Sequence, residues 1–194
     1  MITLRRANVH DVDSIHKLVD HYAEKGMLLA KSPFKIYRNL QSFFVAEENK
    51  KVIACTSLIV LWKDLAEICS LAVDERHTKK GIGRKLVLKC IDEAKKLRIP
   101  QVIVLTYQDR FFEKMGFHLV DKNSFPRKLM WECLECPRLE HCDERAYLKD
   151  LKRRKAEKIR LSVLSASAVK TTKSLLNECL PLLQRASSSL KSCR

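Results

Sequence analysis

The run from Leu71 to Arg84 places a loop with two glycines between an apolar strand and an amphipathic helix. Backbone N–H groups at a helix N-terminus have no partner within the helix, and the positive end of the helix dipole attracts anions. Glycines allow a phosphate to approach those groups closely. The loop therefore predicts an anion-binding site, to which Lys79, Lys80 and Arg84 would add positive charge.

Apolar periodicity predicts strands and helices on both sides of this loop. Polar residues at 48–50 and 63–64 separate β-rich runs, which indicates consecutive antiparallel hairpins. The pattern predicts an α/β domain with a mixed central sheet flanked by helices and with parallel strands near the loop. The predicted strands are 2–7, 43–46, 52–61, 66–73, 102–106 and 117–120, and the predicted helices are 12–22, 83–97 and 111–115, with a further helix before the second strand.

The charge distribution separates the body of the chain from its end. The formal net charge of the 194 residues is +15, but residues 152–194 alone hold 11 Lys and Arg against 2 acidic residues. Composition thus predicts a domain over residues 1–150 and a basic, Ser-rich tail over 151–194 that is helical or disordered. The domain's basic surplus is too small to indicate nucleic-acid binding, whereas the tail leaves that partner open.

The eight cysteines indicate the redox state of the cell compartment in which the protein resides. They occur without a secretory signal or an apolar stretch long enough to span a bilayer, which predicts reduced thiols in a cytoplasmic protein with no membrane partner. Within segment 131–147, Cys133, Cys136 and Cys142 have the opening spacing of a metal site. A structural zinc site needs four ligands, so these three are incomplete candidates beside the alternative of packed thiols.

The order strand, glycine loop, helix, strand and then Phe111–Phe117, which ends in Gly-Phe, resembles the GNAT acetyltransferases over roughly residues 1–122. This resemblance implies a GNAT fold with acetyl-CoA as co-substrate. Its pyrophosphate would bind the glycine loop, and its pantetheine arm would bind the edge of the preceding strand. Thr78 stands where the family usually has Arg or Gln. The implied binding residues are Leu71, Ala72, Val73, Lys79, Lys80, Gly81, Ile82, Gly83, Arg84 and Phe112.

Several segments narrow the likeness to the short, single-domain bacterial N-acetylglutamate synthases. These segments are Gly26–Leu29, Phe43–Glu48, Asp64–Ile68, Ser70–Val73 and Leu105–Gln108, together with Phe111–Phe117 and the cysteine segment. The resemblance implies acetylation of the α-amino group of an amino acid, L-glutamate, in the first step of arginine biosynthesis. The chain differs from that family at Lys31 and Cys69, where arginine is expected.

Acetyl transfer to an amine needs a base for the amine proton and a proton source for the leaving thiolate. By the resemblance, Glu67 lies where histone-type members carry their base, with a paired strand glutamate as the alternative. The backbone N–H of Leu71 or Ala72 would bind the thioester oxygen. Phe112 occupies the position of a family tyrosine and cannot donate, so Tyr107 is the nearest phenol that can replace it.

The acceptor site is expected near the apolar run 27–29. Lys31 and Ser32 follow that run and are predicted to bind the substrate carboxylates, with Arg5 and Arg6 as further candidates. Two other interpretations stay open: transfer to a different amine, and a non-catalytic acetyl-CoA-binding domain that docks a partner through its basic tail. A homodimer is compatible with the sequence.

Overall fold

A central sheet organises the part of the chain that the computed structural model describes, residues 1–125, 136 and 141–151. In these residues the sheet has seven strands in the order β1-β2-β3-β4-β5-β7-β6. The strands are β1 Ile2–Arg6, β2 Phe43–Glu48, β3 Lys51–Trp62, β4 Leu65–Val73, β5 Gln101–Thr106, β6 His118–Val120 and β7 Arg145–Asp150. The α-helices are α1 Val12–Glu24, α2 Pro33–Arg38, α3 Ile82–Lys96 and α4 Asp109–Glu113, and single 3-10 turns lie at Val9–Asp11, Leu40–Ser42, Glu75–His77 and Lys122–Ser124.

The predicted elements are confirmed, with ends shifted by at most two residues. Strands β1 to β4 form an antiparallel meander, and β4 and β5 are parallel, as expected for strands joined by the crossover helix α3. The predicted GNAT-type α/β architecture is therefore the observed one. The tail from residue 152 lies outside the described residues, and its character stays a prediction.

The seventh strand was not predicted. Strand β7 inserts between β5 and β6 and is antiparallel to both. Its polar ends hide the signal, because only Ala146, Tyr147 and Leu148 are buried. Its Lys149 then reaches the end of α4, where Nζ donates to the carbonyl oxygens of Met115 at 2.7 Å and Gly116 at 3.3 Å. Strand β7 thereby fixes the short helix α4 beside the parallel strands.

Helices cover both faces of the sheet, as their one-sided apolar patterns require. Helix α3 packs on one face, where its buried residues join a core cluster with strands β2 to β5. Helices α1 and α2 pack on the other face. The buried residues of α3 are Ile82, Leu86, Val87, Cys90, Ile91 and Ala94, and those of α1 and α2 are Val12, Ile15, Val19 and Ile36. Among the described residues, no helix combines the length and apolar character that crossing a membrane would require.

An ion cluster ties the edge strand β1 to the start of α1. The Arg5 guanidinium donates to both carboxylate oxygens of buried Asp11, at 2.6 and 2.9 Å, and to Glu47 on β2. Burial alone would raise the pKa of the Asp11 carboxyl, but hydrogen bonds from Arg5 and from the Asn8 backbone outweigh burial and lower it. Arg5 therefore pairs with acidic residues and stabilises the folded protein.

Replacing Arg5 should therefore destabilise the protein in a pH-dependent way. We expect Arg5→Met to lower the free energy of unfolding by about 2 kcal/mol near neutral pH, because Asp11 keeps its burial and loses its partner. Because the folded-state pKa of Asp11 is lowered, its contribution is present above the unfolded-state pKa and is lost as pH falls through the folded-state value.

Urea unfolding at several pH values measures this difference. The deficit of Arg5→Met should shrink as the solution is acidified, while exposed Arg110→Met serves as the control with little change. A deficit that is independent of pH would show that Arg5 acts through packing alone.

Candidate active site

The parallel strands β4 and β5 pair only where they begin. Leu65–Glu67 lies in register with Gln101–Ile103, and the pairing between the two strands ends there. Beyond this point β4 stays bonded to β3, and β5 stays bonded to β7 along its whole length. The facing edges from Ile68 and from Val104 onward therefore border a gap. Backbone polar groups along such a gap need partners from a bound molecule or water.

A β-bulge in β4 accounts for this divergence. The register passes from Cys55 opposite Ala72 to Ser57 opposite Cys69, so β4 carries one residue more than β3 in between. Ser70 lies in this bulge and adopts a left-handed backbone conformation, with φ 53°. A bulge bends its strand and increases the local twist. Strand β4 consequently turns away from β5 while both strands keep their outer partners.

The gap opens into a cavity of about 840 Å³. This volume is within the range of small-molecule and cofactor sites. Its two long walls are the diverging strands, residues 68–71 and 73 of β4 and residues 104–107 at the end of β5. Tyr22, Met27 and Leu28 close it on the α1 side, and Phe111, Phe112 and Lys114 close it on the α4 side.

The predicted anion-binding loop forms one end of this cavity. Gly81 has φ 76° and precedes α3, whose first hydrogen bond runs from Lys85 N–H to the Gly81 carbonyl. The N–H groups of the first turn thus have no acceptor within the helix. Lys79 also adopts a left-handed conformation, with φ 60°, which glycine adopts more easily than lysine. The loop keeps the shape that the glycine pattern predicts although it carries a lysine.

Gly83 has room for a small side chain. A Cβ placed on Gly83 would meet Val73 Cγ2 at 3.7 Å and Phe111 Cζ at 3.8 Å, which are ordinary contacts. The protein's own packing therefore does not require glycine there. Lys79, Arg84 and His77 lie in the same part of the cavity lining, and Lys114 adds a fourth basic side chain from α4. An extended, phosphate-bearing molecule fits this arrangement of helix N-terminus, basic groups and split strands.

The structure brings most of the predicted cofactor residues into one cavity. Leu71, Val73, Lys79, Gly81, Ile82, Gly83, Arg84 and Phe112 line it, together with the predicted catalytic residue Tyr107. Lys80 is exposed outside the lining, and the side chain of Ala72 packs in the core on the α1 face. Phe112 is buried and contacts Phe111 and Phe117 edge to face, at ring-centroid distances of 4.9 and 5.4 Å.

Glu67 lies one step below the cavity, in the last paired position of β4 and β5. It is half-buried and shares a face of β4 with Cys69, which lines the cavity. Tyr107 is at the other wall, and its hydroxyl donates to Asp143 Oδ1 at 2.7 Å. The predicted base and acid thus flank the divergence from opposite strands.

The predicted acceptor residues lie outside the cavity lining. Lys31 is 7% exposed, and Ser32 is the N-cap of α2, where its hydroxyl accepts the Lys35 N–H. Arg5 and Arg6, the further acceptor candidates, lie on the edge strand β1 and pair with acidic residues, Arg6 with Glu93, and their role at the acceptor stays a prediction.

Sequence reasoning missed several residues of the site. Tyr22 lines the cavity and donates to the Val73 carbonyl at 2.6 Å, and its helical spacing had marked only a core position. His77 links the loop to the β2–β3 turn through Glu48, with Nε2 and Oε2 3.0 Å apart. Nothing in the sequence indicated that Lys114 lines the cavity, because it is simply a basic residue within the Phe111–Phe117 segment.

The metal candidates give no site in the described part of the chain. Cys133 lies outside the described residues, while Cys136 and Cys142 are half-buried free thiols. Within the described residues no group of three or more His, Cys, Asp or Glu is placed to hold a metal ion. Burial raises the pKa of the Cys55 and Cys90 thiols to about 12, which keeps them protonated core residues.

The fold, with a cavity between two split parallel strands that leads to a helix N-terminus, is typical of a transferase. Residues 13–117 match the acetyltransferase (GNAT) family, and the chain belongs to that family. The predicted use of acetyl-CoA agrees with this membership.

Relatives support the assignment. An N-acetyltransferase of Chlorobaculum tepidum is 37% identical over 148 residues, covering 76% of this chain and 96% of the relative. An amino-acid acetyltransferase of Mycobacterium tuberculosis is 43% identical over 117 residues, 59% of this chain and 67% of that protein. A Mycobacterium tuberculosis crystal structure in complex with CoA superposes with a TM-score of 0.67 and 32% identity, covering 77% of this chain and 99% of that one.

The contacts around Gly83 give a direct test of the cavity. Gly83→Ala should raise the free energy of unfolding by about 0.5 to 1 kcal/mol, because alanine is the better helix residue and meets no clash. The larger side chain of Gly83→Leu should weaken acetyl-CoA binding by roughly tenfold or more, because it extends beyond these contacts and keeps phosphate from the backbone.

Calorimetric titration together with thermal unfolding checks both effects. Lys95→Ala, near the other end of α3, is the control and should leave the affinity unchanged. Unaltered affinity in a folded Gly83→Leu protein would exclude the loop as the phosphate site.

Proposed function

We propose that the protein transfers the acetyl group of acetyl-CoA to the α-amino group of an amino acid, with L-glutamate as the acceptor, in the first step of arginine biosynthesis. The observation that carries the proposal is the cavity between β4 and β5, which joins a phosphate-binding helix N-terminus to a split strand edge. The similarity to an amino-acid acetyltransferase supports an amino acid as the acceptor.

The pyrophosphate would lie on the loop 79–84, held by backbone N–H groups and the neighbouring basic side chains. The pantetheine arm would run along the inner edge of β4 past Val73 and Leu71, where its amides replace the missing strand partner. This orientation brings the thioester to the bulge, with the N–H of Leu71 or Ala72 as donor to its oxygen.

Glu67 is proposed as the base. Its position on the face of Cys69 places the carboxylate just below the cavity, within reach of an acceptor amine through a water molecule. Tyr107 is proposed to protonate the leaving thiolate. Because its hydroxyl donates to Asp143, that proton becomes available only when the hydroxyl turns from Asp143 towards the cavity.

The substrate carboxylates need cationic partners, for which Lys31 is proposed at the start of α2. Met27 and Leu28, which line the cavity on the α1 side, directly precede that segment in the chain. The described cysteines are free thiols, which supports a reducing, cytoplasmic location.

A second candidate function is an acetyl-CoA-binding domain without catalysis. Phe112 offers no proton and the Tyr107 proton is engaged by Asp143, so the described site lacks an immediate acid at the sulfur. Such a domain would bind acetyl-CoA tightly and release no CoA with any amine.

An acceptor screen with acetyl-CoA separates these functions. We expect CoA release with L-glutamate, measured by thiol detection, and slower release with glutamine or other amino acids. Turnover only with a different amine would overturn glutamate as the acceptor and leave the acetyltransferase intact. Binding without turnover on the whole panel would establish the second function.

Removing the proposed base gives the second test. Glu67→Gln should lower kcat by roughly 10²- to 10⁴-fold and leave acetyl-CoA affinity unchanged, because Glu67 lies outside the cavity lining. Asp92→Asn, an exposed residue of α3, is the control. Full activity of Glu67→Gln would show that Glu67 is not the catalytic base and has only a structural role in β4.

A further inference from the structure

One hydroxyl group in the cavity wall has no hydrogen-bond partner. Ser70 is 5% exposed, lines the cavity, and its Oγ meets no donor or acceptor among the described residues. Buried polar groups are nearly always hydrogen-bonded, because leaving one unpaired costs the full desolvation of that group. The Oγ atom is closed to solvent in this conformation, so a rotation of the side chain about its Cα–Cβ bond is needed to turn the unpaired hydroxyl towards a partner on a ligand in the cavity.

The other hydroxyl groups that line the cavity are already engaged. Tyr22 donates to the Val73 carbonyl, Thr78 donates to the Glu75 carbonyl at 2.9 Å, Thr106 accepts from Gln108 N–H at 2.9 Å, and Tyr107 donates to Asp143. Phe112 lines the same space and has no donor. Of the described hydroxyls in this lining, Ser70 is thus the one without any hydrogen bond, whereas the Thr106 hydroxyl accepts one and still has its proton to donate.

Ser70 has a backbone conformation that is unfavourable for its residue type. A left-handed φ of 53° is unfavourable for a serine, and it persists because neighbouring groups bond the bulge. Cys55 Sγ donates to the Ser70 carbonyl at 3.6 Å, and Thr56 Oγ1 donates to the preceding carbonyl, that of Cys69, at 3.2 Å. Strained residues of this kind cluster at functional sites.

We propose that the Ser70 hydroxyl donates a hydrogen bond to the sulfur of acetyl-CoA as it becomes a thiolate. This role rests on the proposed function, because it assumes that the thioester lies at the bulge. The backbone N–H of Leu71, the next residue, would donate to the thioester oxygen. The thioester sulfur is bonded to the same carbon as that oxygen, so the neighbouring Ser70 hydroxyl would lie close to the sulfur. A hydrogen bond to a charged acceptor is stronger than one to a neutral thioester, so it stabilises the step in which charge develops.

Ser70 loses no proton during the transfer of the acetyl group. The amine nitrogen bonds to the thioester carbon, its proton passes to Glu67 through water, and the carbon–sulfur bond breaks with its electron pair on sulfur. Ser70 keeps its proton throughout and shares it with the thiolate by hydrogen bonding. The thiolate is protonated afterwards by Tyr107 or by solvent.

Stability and catalysis should respond to Ser70→Ala in opposite directions. Removal of an unpaired buried hydroxyl should raise the melting temperature, and Ser70→Gly should raise it further because glycine also relieves the left-handed strain. Both variants should lose roughly 10- to 100-fold in kcat while KM for acetyl-CoA stays unchanged. Ser42→Ala, whose hydroxyl donates to the Asn39 carbonyl, is the control and should keep full kcat.

A binding measurement tests the same contact without turnover. The wild type should prefer CoA over desulfo-CoA increasingly as the pH is raised and the bound thiol ionises, and Ser70→Ala should reduce that preference by roughly tenfold. An identical preference in the two proteins would overturn the proposal, because it would show that Ser70 does not contact the sulfur. A lower melting temperature of Ser70→Ala would also overturn it, because it would show that the hydroxyl has a hydrogen-bond partner within the protein. If the wild type bound neither ligand, the acetyl-CoA site itself would be excluded.

Discussion

The early end of the pairing between β4 and β5 is the constraint on which the rest of the site depends. Two parallel strands that begin in register and then separate leave rows of backbone N–H and C=O groups without a strand partner. Those groups need partners, and an extended amide-bearing ligand supplies them as a missing strand would. The bulge at Ser70 bends β4 away and holds the gap open.

Neighbouring elements keep the gap from collapsing. Strand β3 holds the outer edge of β4, and β7 holds the outer edge of β5 over its full length. Lys149 on β7 also binds the last carbonyls around α4, which places Phe112 against the cavity. The gap leads to the N-terminus of α3, so one bend in β4 joins the predicted phosphate site to the proposed reaction centre.

Local patterns made most of the fold and the cofactor loop predictable. Period-two and helical spacing marked the elements up to residue 120, and the glycine loop marked the anion site, because both signals lie within short segments. Strand β7 was missed because its ends are polar, and the contact of Tyr107 with Asp143 joins residues far apart in the chain. The unpaired hydroxyl of Ser70 depends on a bulge register that a single strand cannot reveal.

Amide hydrogen exchange with and without acetyl-CoA tests whether the donor binds between the diverging strands. We expect acetyl-CoA to slow exchange at the inner edge of β4, residues 71–73, and in the first turn of α3, residues 82–84, while the β1–β2 edge exchanges as before. Saturating acetyl-CoA that protected other segments and left these two unchanged would contradict a donor site between the diverging strands.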